Sequence, residues 1–563
     1  LKINPNYAEA YNGLGNVLQI TGQTSAAIDA FTQAVHITPG YAAASYNLAN
    51  AFIEQDNHDA AIKAYKTALS AQPDFAEAHN NLGYGYERQG NLDDAITSYA
   101  AAVSNQPDSA CYHYNLGNAH HLKGAAKAAI TAFEKAITLM PDYADAYNGL
   151  GSALREIGNL DGAIEAMSRA ISLRPDCAKT NYNMGNAYAD ADKWPDAITA
   201  YQTALALKPD YAEAHNNIGF ALKNQNKLNE ALAAYQTALA IKPDYADAHH
   251  NLGMAHLKSQ AFTAAWPEME WRWSVKSRTC KPLLTEKPLW QGGRVERLLV
   301  WAEQGIGDEI MFNACLPQIA QQCDRLIVSA SKRLIPLFER SFNDITFVEA
   351  HNKIDEALYD LQAPALTALG QCRTSLDDFR ATATPYLHAD AARADTIKSR
   401  LKTLAGGAPI IGISWKSMNE KLGKRRSLDL PALAAAIPPD AFLVSLQYGD
   451  VAEEIAALKT TTGRIVHSYD GVDNFRDLDG FAALVSACDQ VISIDNSTVH
   501  FAGALGIACH ILLPFNPDWR WGLHGTKTSY WYAKTHLHWQ PSPNDWQGCI
   551  DSLQTCFSAQ RQT

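Results

Sequence analysis

Small, apolar and aromatic positions return through the first half of the chain at one interval, 34 residues. Prolines mark the period: Pro5, Pro39, Pro73, Pro107, Pro141, Pro175, Pro209 and Pro243. A tiny residue recurs at Gly15, Ala49, Gly83, Gly117, Gly151, Gly185, Gly219 and Gly253, with an alanine twelve residues after each, from Ala27 to Ala265. An aromatic or Met follows four residues further on in most copies (Phe31, Tyr65, Tyr99, Phe133, Met167, Tyr201, Tyr235). Residues four apart share a helix face. Each repeat is therefore predicted to be two helices that meet at the tiny residue and the alanine, where a larger side chain would part the backbones. The aromatic fills the seam one turn along, and the proline ends the second helix and turns the chain. Eight copies of such a period predict a stack of helix pairs over residues 1–265, the last merging into the next segment of the chain.

After Arg297 the pattern changes to short apolar runs alternating with amphipathic helical stretches, which predicts β-α units and parallel sheets. One set of strands is expected at Leu298–Ala302, Arg325–Ala330 and Ile345–Val348. A second is expected at Ile410–Trp415, Phe442–Gln447, Arg464–Ser468, Gln490–Ile494 and Cys509–Leu513. Gly406-Gly407 between them reads as a hinge. Trp266, Trp271, Trp273 and Trp290 mark a connector expected to cement the helical array to the next domain. The expected order is an all-α array (1–265), a Trp-rich connector (266–296), and an α/β domain of two lobes (297–405 and 406–563).

Composition narrows the function classes. A net charge of -12 argues against a nucleic-acid partner. Ten scattered cysteines without a C-x-x-C pair or metal-ligand spacing fit reduced thiols in a cytoplasmic protein. No apolar run approaches the length needed to span a membrane.

The 34-residue grammar resembles the tetratricopeptide repeat. The opening Leu1-Lys2-Ile3-Asn4-Pro5 matches the end of a repeat (compare Leu207-Lys208-Pro209), so earlier repeats are expected upstream. Asn47, Asn81, Asn115, Asn183, Asn217 and Asn251 each stand two residues before the tiny position, and Asn50, Asn118 and Asn186 lie on the same face. Asparagine is a mediocre helix former, and its amide both donates and accepts. Two readings stand: a ladder that holds the backbone of an extended peptide acceptor, or amides that tie neighbouring helices together. The arm of protein O-GlcNAc transferases looks similar, with an asparagine ladder lining its groove.

Three segments of the second half carry candidate chemistry. In Trp301-Ala302-Glu303-Gln304-Gly305-Ile306-Gly307-Asp308-Glu309 a strand runs into two glycines and an acid. Gly305 and Gly307 permit close backbone approach to a ligand. Asp308 is either a general base for an acceptor hydroxyl or a helix-start acid that balances the dipole. In Ile494-Asp495-Asn496-Ser497-Thr498-Val499-His500 a buried strand stops at an acid and a helix begins, an arrangement suited to a diphosphate or to a simple cap with a packed histidine. Lys416–Ser427, with Lys416 and Arg425, is the most basic stretch, fit to neutralise a leaving diphosphate or to be a solvated loop.

In this order, the three segments resemble the heptosyltransferase-like glycosyltransferases of family 9. The flanks Asp477-Leu478-Asp479-Gly480-Phe481 and Leu513-Pro514-Phe515-Asn516-Pro517-Asp518-Trp519-Arg520-Trp521 extend the likeness over residues 298 to about 545. The resemblance implies a GT-B fold, no metal or other cofactor, Asp308 as base, and a nucleotide-sugar donor held by Lys416, Asp495, Ser497, Thr498 and His500; the residues themselves add Gly305, Gly307, Arg425 and Asn496 as candidate donor contacts. Asn496 and Ser497 depart from the family's usual pair, which leaves the donor's sugar and base open. Asp477-Leu478-Asp479 has the D-x-D shape of metal-dependent transferases but is expected to open a helix. The implied activity is inverting transfer from a nucleotide sugar to Ser or Thr of a protein held by the arm. Bacterial flagellin glycosyltransferases have a similar architecture, which makes flagellin a candidate acceptor. The rivals are a heptosyltransferase-like enzyme acting on a lipid-linked glycan and an inactive scaffold.

Overall fold

A computed structural model of the chain describes residues 4–276, 281–351, 353–418 and 423–560. The chain forms two compact units, residues 1–221 and 222–563.

The first unit is helical. Helices of 13 and 14 residues alternate from Ala8–Ile20 and Thr24–Ile37 to Ala178–Asp190 and Trp194–Leu207, and each second helix stops two residues before its proline. All the periodic alanines from Ala27 to Ala197 are completely buried. The tiny residue differs from expectation in what it meets. A Cβ at Gly15, Gly83, Gly117 or Gly185 would run into the partner helix's aromatic ring, at 2.4 Å from Phe31 and 2.4 Å from Tyr201 in the tightest cases. The ring, rather than a second backbone, fills the space the glycine leaves. Gly13, on the same helix as Gly15, faces open space. Gly185→Ala is therefore expected to destabilise the first unit by ~1–3 kcal/mol through overpacking. Gly13→Ala should be neutral or stabilise by ~0.5–1 kcal/mol. Urea unfolding of the two variants checks the contrast; equal midpoints would contradict it.

The second unit holds the remaining helices Leu228–Ile241, Ala246–Lys258 and Phe262–Met269, followed by two wholly parallel sheets. The first sheet comprises β1 (Val295–Trp301), β2 (Cys323–Ala330), β3 (Thr346–Glu349) and β4 (Leu361–Pro364), in the order β3-β2-β1-β4. The second comprises β5 (Ile410–Ser414), β6 (Phe442–Ser445), β7 (Val466–His467), β8 (Gln490–Ile494), β9 (Ala508–Leu513) and β10 (Thr535–Trp539), in the order β10-β9-β8-β5-β6-β7. All eight predicted strands form. The unpredicted β4 and β10 are both edge strands; β4 ends in a proline and β10 carries Thr535, His536 and His538 among its five residues, so neither reads as an apolar run. Strand order reverses between β1 and β4 in one sheet and between β5 and β8 in the other. Crevices for ligands open at such switch points, beyond the carboxyl ends of the strands.

The expected boundary at residue 265 falls inside this unit, because Leu257, Phe262, Ala265 and Met269 join the same core as Leu298 and Phe379. The connector tryptophans lie in the second unit and make these contacts. Trp266 Nε1 donates to Arg373 O at 2.6 Å, Trp273 packs on Trp301, and Trp290 Nε1 donates to Gly293 O at 2.9 Å. Behind them Arg272 is wholly buried and donates from Nε and Nη2 to Glu303 at 2.8 and 3.1 Å. Gly406 and Gly407, with φ of +59 and +94, close the helix Ala391–Ala405, which lies against the helix Leu478–Ala487.

Candidate functional site

The two switch points meet. Beyond β1 the chain turns through Gly305 into the helix Ile306–Phe312, with Asp308 in its first turn. Beyond β8, Asp495 is followed by Asn496 and the helix Ser497–Ala504. These helices pack so closely that a Cβ at Gly307 would lie 2.8 Å from His500 Cδ2 and 3.6 Å from Ser497 Cα. Gly307 is required by that approach, whereas Gly305 faces open space. Asp308, Gly305, Gly307, Asp495, Ser497, Thr498 and His500 thus come together.

The residue that organises them was not among those expected. Arg520, on the connection after β9, places Nη2 2.9 Å from Asp308 Oδ1 and 3.3 Å from Asp518 Oδ2. Its Nη1 donates to His500 Nε2 at 3.4 Å, which leaves His500 Nδ1 to donate to Tyr532 Oη at 2.9 Å. Next to it Trp521 stacks on the His500 ring and donates Nε1–H to Asp495 Oδ1 at 2.8 Å. Arg426 Nη1 stands 3.4 Å from the other oxygen of Asp495.

Burial sets the protonation. It pushes the Asp308 carboxyl above the usual carboxylate range, with Arg520 pulling the other way. Burial, reinforced by Arg520, holds the His500 imidazole well below its ordinary value, so the ring is neutral. For Asp518 burial is outweighed by Arg520 and Arg426, which keep it below the usual range.

Other expected donor residues have different duties. Asn496 is the helix cap: its Oδ1 accepts from Thr498 N at 3.0 Å, and its Nδ2 donates to Ser414 Oγ at 2.8 Å. Lys416 Nζ pairs with Glu454 Oε1 at 2.5 Å, and Arg425 is exposed. Residues 419–422 of the basic segment lie outside the described residues. The D-x-D acids are committed to cations and to a cap: Asp477 pairs with Arg393 and accepts from Gly480 N, and Asp479 pairs with Arg340 at 2.7 Å. Among the described residues no group of three His, Cys, Asp or Glu side chains is placed to hold a metal ion.

Two hollows flank the site. One, of only about 10 Å³, touches Asp308, Gln304 and Asn313. Another, of about 290 Å³, lies at the carboxyl ends of β6 and β7, beside Gln447, Tyr448, Asp473, Asn474 and Phe475. Ser414 joins it to the Asp495 turn, donating to Gln447 Oε1 and accepting from Asn496.

In the first unit the half-buried ladder asparagines bond from repeat to repeat. Asn47 Nδ2 donates to Asn12 and Asn16, Asn81 to Tyr46 and Asn50, and Asn217 to Tyr182 and Asn186, all at 2.9–3.1 Å. Asn115 reaches Asn80 at 2.8 Å and Asn183 reaches Asn148 at 3.0 Å. The amides therefore tie neighbouring helix pairs, the second of the two sequence readings, and only what these bonds leave over can face a partner. Asn251, in the second unit, is half-buried.

The helix pairs and their grammar define the N-terminal part as an array of tetratricopeptide repeats. Models of the tetratricopeptide repeat match residues 8–41, 46–110 and 82–141, and a model of the TPR repeat matches 151–192, 185–226 and 221–260. Protein FlbA of Caulobacter vibrioides (strain ATCC 19089 / CIP 103742 / CB 15) is 31% identical over 315 residues, 51% of this chain and 52% of its own length. The chain thus spans about half the length of that curated relative. Among solved structures, MamA is 33% identical, covering 30% of this chain and 97% of its own, with a TM-score of 0.28. YrrB, described as a TPR protein with an unusual peptide-binding site, is 23% identical, covering 34% and 97%, with a TM-score of 0.29. No helix among the described residues is long and apolar enough to cross a membrane.

Proposed function

We propose that the chain is an inverting glycosyltransferase of GT-B type, independent of metal, that moves a sugar from a nucleotide-sugar donor to Ser or Thr of a protein held by the repeat arm. The observation that carries this reading is the meeting of the Gly305–Asp308 turn with the Asp495–His500 turn at the switch points of two parallel sheets. The nucleoside enters the hollow beside Gln447 and Asn474. The diphosphate lies toward the start of the helix Ser497–Ala504, where N–H groups and the nearby Arg426 favour an anion. Asp308 takes the proton of the acceptor hydroxyl as its oxygen attacks the anomeric carbon. The bond from that carbon to the phosphate oxygen breaks, its electron pair leaving with the diphosphate. Flagellin remains a candidate acceptor by architecture alone.

The internal bonding of the asparagine ladder favours one rival, in which the acceptor is a lipid-linked glycan and the arm only docks the enzyme. A thermal-shift panel of UDP-, GDP-, ADP- and CMP-linked sugars, followed by assay of diphosphate release, tests the reading. One nucleotide class should raise the melting temperature, because it binds only the folded form, and should be cleaved. A protein that neither binds nor cleaves any of them is not this enzyme.

A further inference from the structure

Arg520 stands where acids from two lobes converge, and its contacts are incomplete. A guanidinium carries five N–H donors in a rigid fork that grips a carboxylate or phosphate two at a time. Here Nη2 lies 2.9 Å from Asp308 Oδ1 without an aligned hydrogen bond, and Arg520 Nε is buried without a hydrogen-bond partner. Asp308 Oδ1, Asp518 Oδ1 and Asp495 Oδ2 are likewise buried and lack one. So does Thr498 Oγ1, on a fully buried residue in the first turn of the helix Ser497–Ala504. Asp518 sits two residues before Arg520 on the same connection, whereas Asp308 belongs to the other sheet's helix. The guanidinium can keep Asp518 and exchange Asp308.

We propose that Arg520 is an exchangeable clasp: it holds Asp308 while no ligand is present, and a phosphate anion arriving at the start of the helix Ser497–Ala504 takes the guanidinium and releases the carboxylate. This rests on the transferase reading and adds an order of events to it, donor before base. A phosphate offers more acceptor oxygens and more charge than Asp308, so it competes well for a half-used fork. The exchange proceeds to the extent that the ligand binds the released state better than the clasped one. Once released, Asp308 has lost its cation in a buried setting, and such a carboxylate holds a proton more tightly, as a base must. His500, neutral, does not replace the lost cation.

Inorganic pyrophosphate is the probe, titrated by calorimetry into the full chain. Competition predicts that Asp308→Asn, close in shape but uncharged, binds pyrophosphate about tenfold tighter than the wild type. Arg520→Gln should bind about tenfold weaker, and adding Asp308→Asn to it should bring no gain. Arg520→Lys keeps the charge should the Gln variant not fold; without the fork, the gain from Asp308→Asn should shrink to about threefold or less. Equal or weaker binding by Asp308→Asn overturns the clasp. If a nucleotide sugar is nevertheless cleaved, the transferase reading stands without it. If the gain appears and no nucleotide sugar is cleaved, the clasp stands and the transferase reading falls. No binding of pyrophosphate or any nucleotide sugar overturns both.

Discussion

Asp308→Ala is expected to lower sugar transfer by ~10²–10⁴-fold, the usual worth of a positioned general base, with donor binding undiminished. The alternative role, balancing a helix dipole, would involve only ~0.3–1 kcal/mol of stability and leave transfer nearly intact. The pH profile gives an independent sign. Asp308 works ionised, and burial raises its pKa. Activity should therefore rise with pH through a limb above the ordinary carboxylate range and fall away as the pH drops through it. Asp308→Ala should remove that limb from whatever activity remains. Transfer that survives the substitution within a few fold would mean that another group takes the proton.

The second large effect concerns stability. Arg272→Ala is expected to destabilise the second unit by ~3–5 kcal/mol, because it strands a buried carboxylate. Glu303 lies beneath the protein surface and accepts from Arg272 and from Leu366 N at 2.9 Å. It also opens the turn that delivers Asp308, so a partly folded variant should lose activity as well. Replacing both partners, Arg272→Met with Glu303→Leu, should restore part of the stability, since no charge is left buried and unpaired, while half-exposed Glu270 loses its cation and Leu366 N its acceptor. The exposed pair Arg294 and Asp324, 2.5 Å apart, should be worth only ~0–1 kcal/mol in the same chemical-denaturation experiment. Similar losses at both pairs would contradict the assignment.

These sites differ in how far sequence exposes them. The helix pairs were legible because a fixed period forces the same contacts in every copy. Asp308, Asp495 and His500 were legible because each follows a strand within a few residues, where local pattern suffices. Arg520 was not, since only the order of strands brings the connection after β9 to the helix after β1. A charged Asp518-Trp519-Arg520-Trp521 run inside an apolar setting was the one signal that could have marked it. The ion pair of Lys416 is hidden from the sequence for a related reason: Glu454, which holds it, is 38 residues away on the helix Ala452–Thr462. The ladder carried its own explanation in its spacing. Bonds such as Asn81 to Asn50 and Asn47 to Asn12 span 31 and 35 residues, one repeat less three and one repeat plus one, the offsets that bring neighbouring pairs face to face. Substituting several of these amides should therefore loosen the stack as well as any acceptor, and acceptor binding must be compared at equal folded fraction.

In the proposed reaction the paired sheets move a sugar from a nucleotide onto a hydroxyl of a polypeptide held by the repeats. Intact-mass spectrometry of flagellin and other acceptor proteins, incubated with the full chain and the nucleotide sugar it cleaves, decides whether they do. The expected outcome is a glycosyl mass increment on Ser or Thr that is absent with Asp308→Ala. Cleavage of the nucleotide sugar with the increment appearing only on a glycan, or on protein equally with Asp308→Ala, would contradict it.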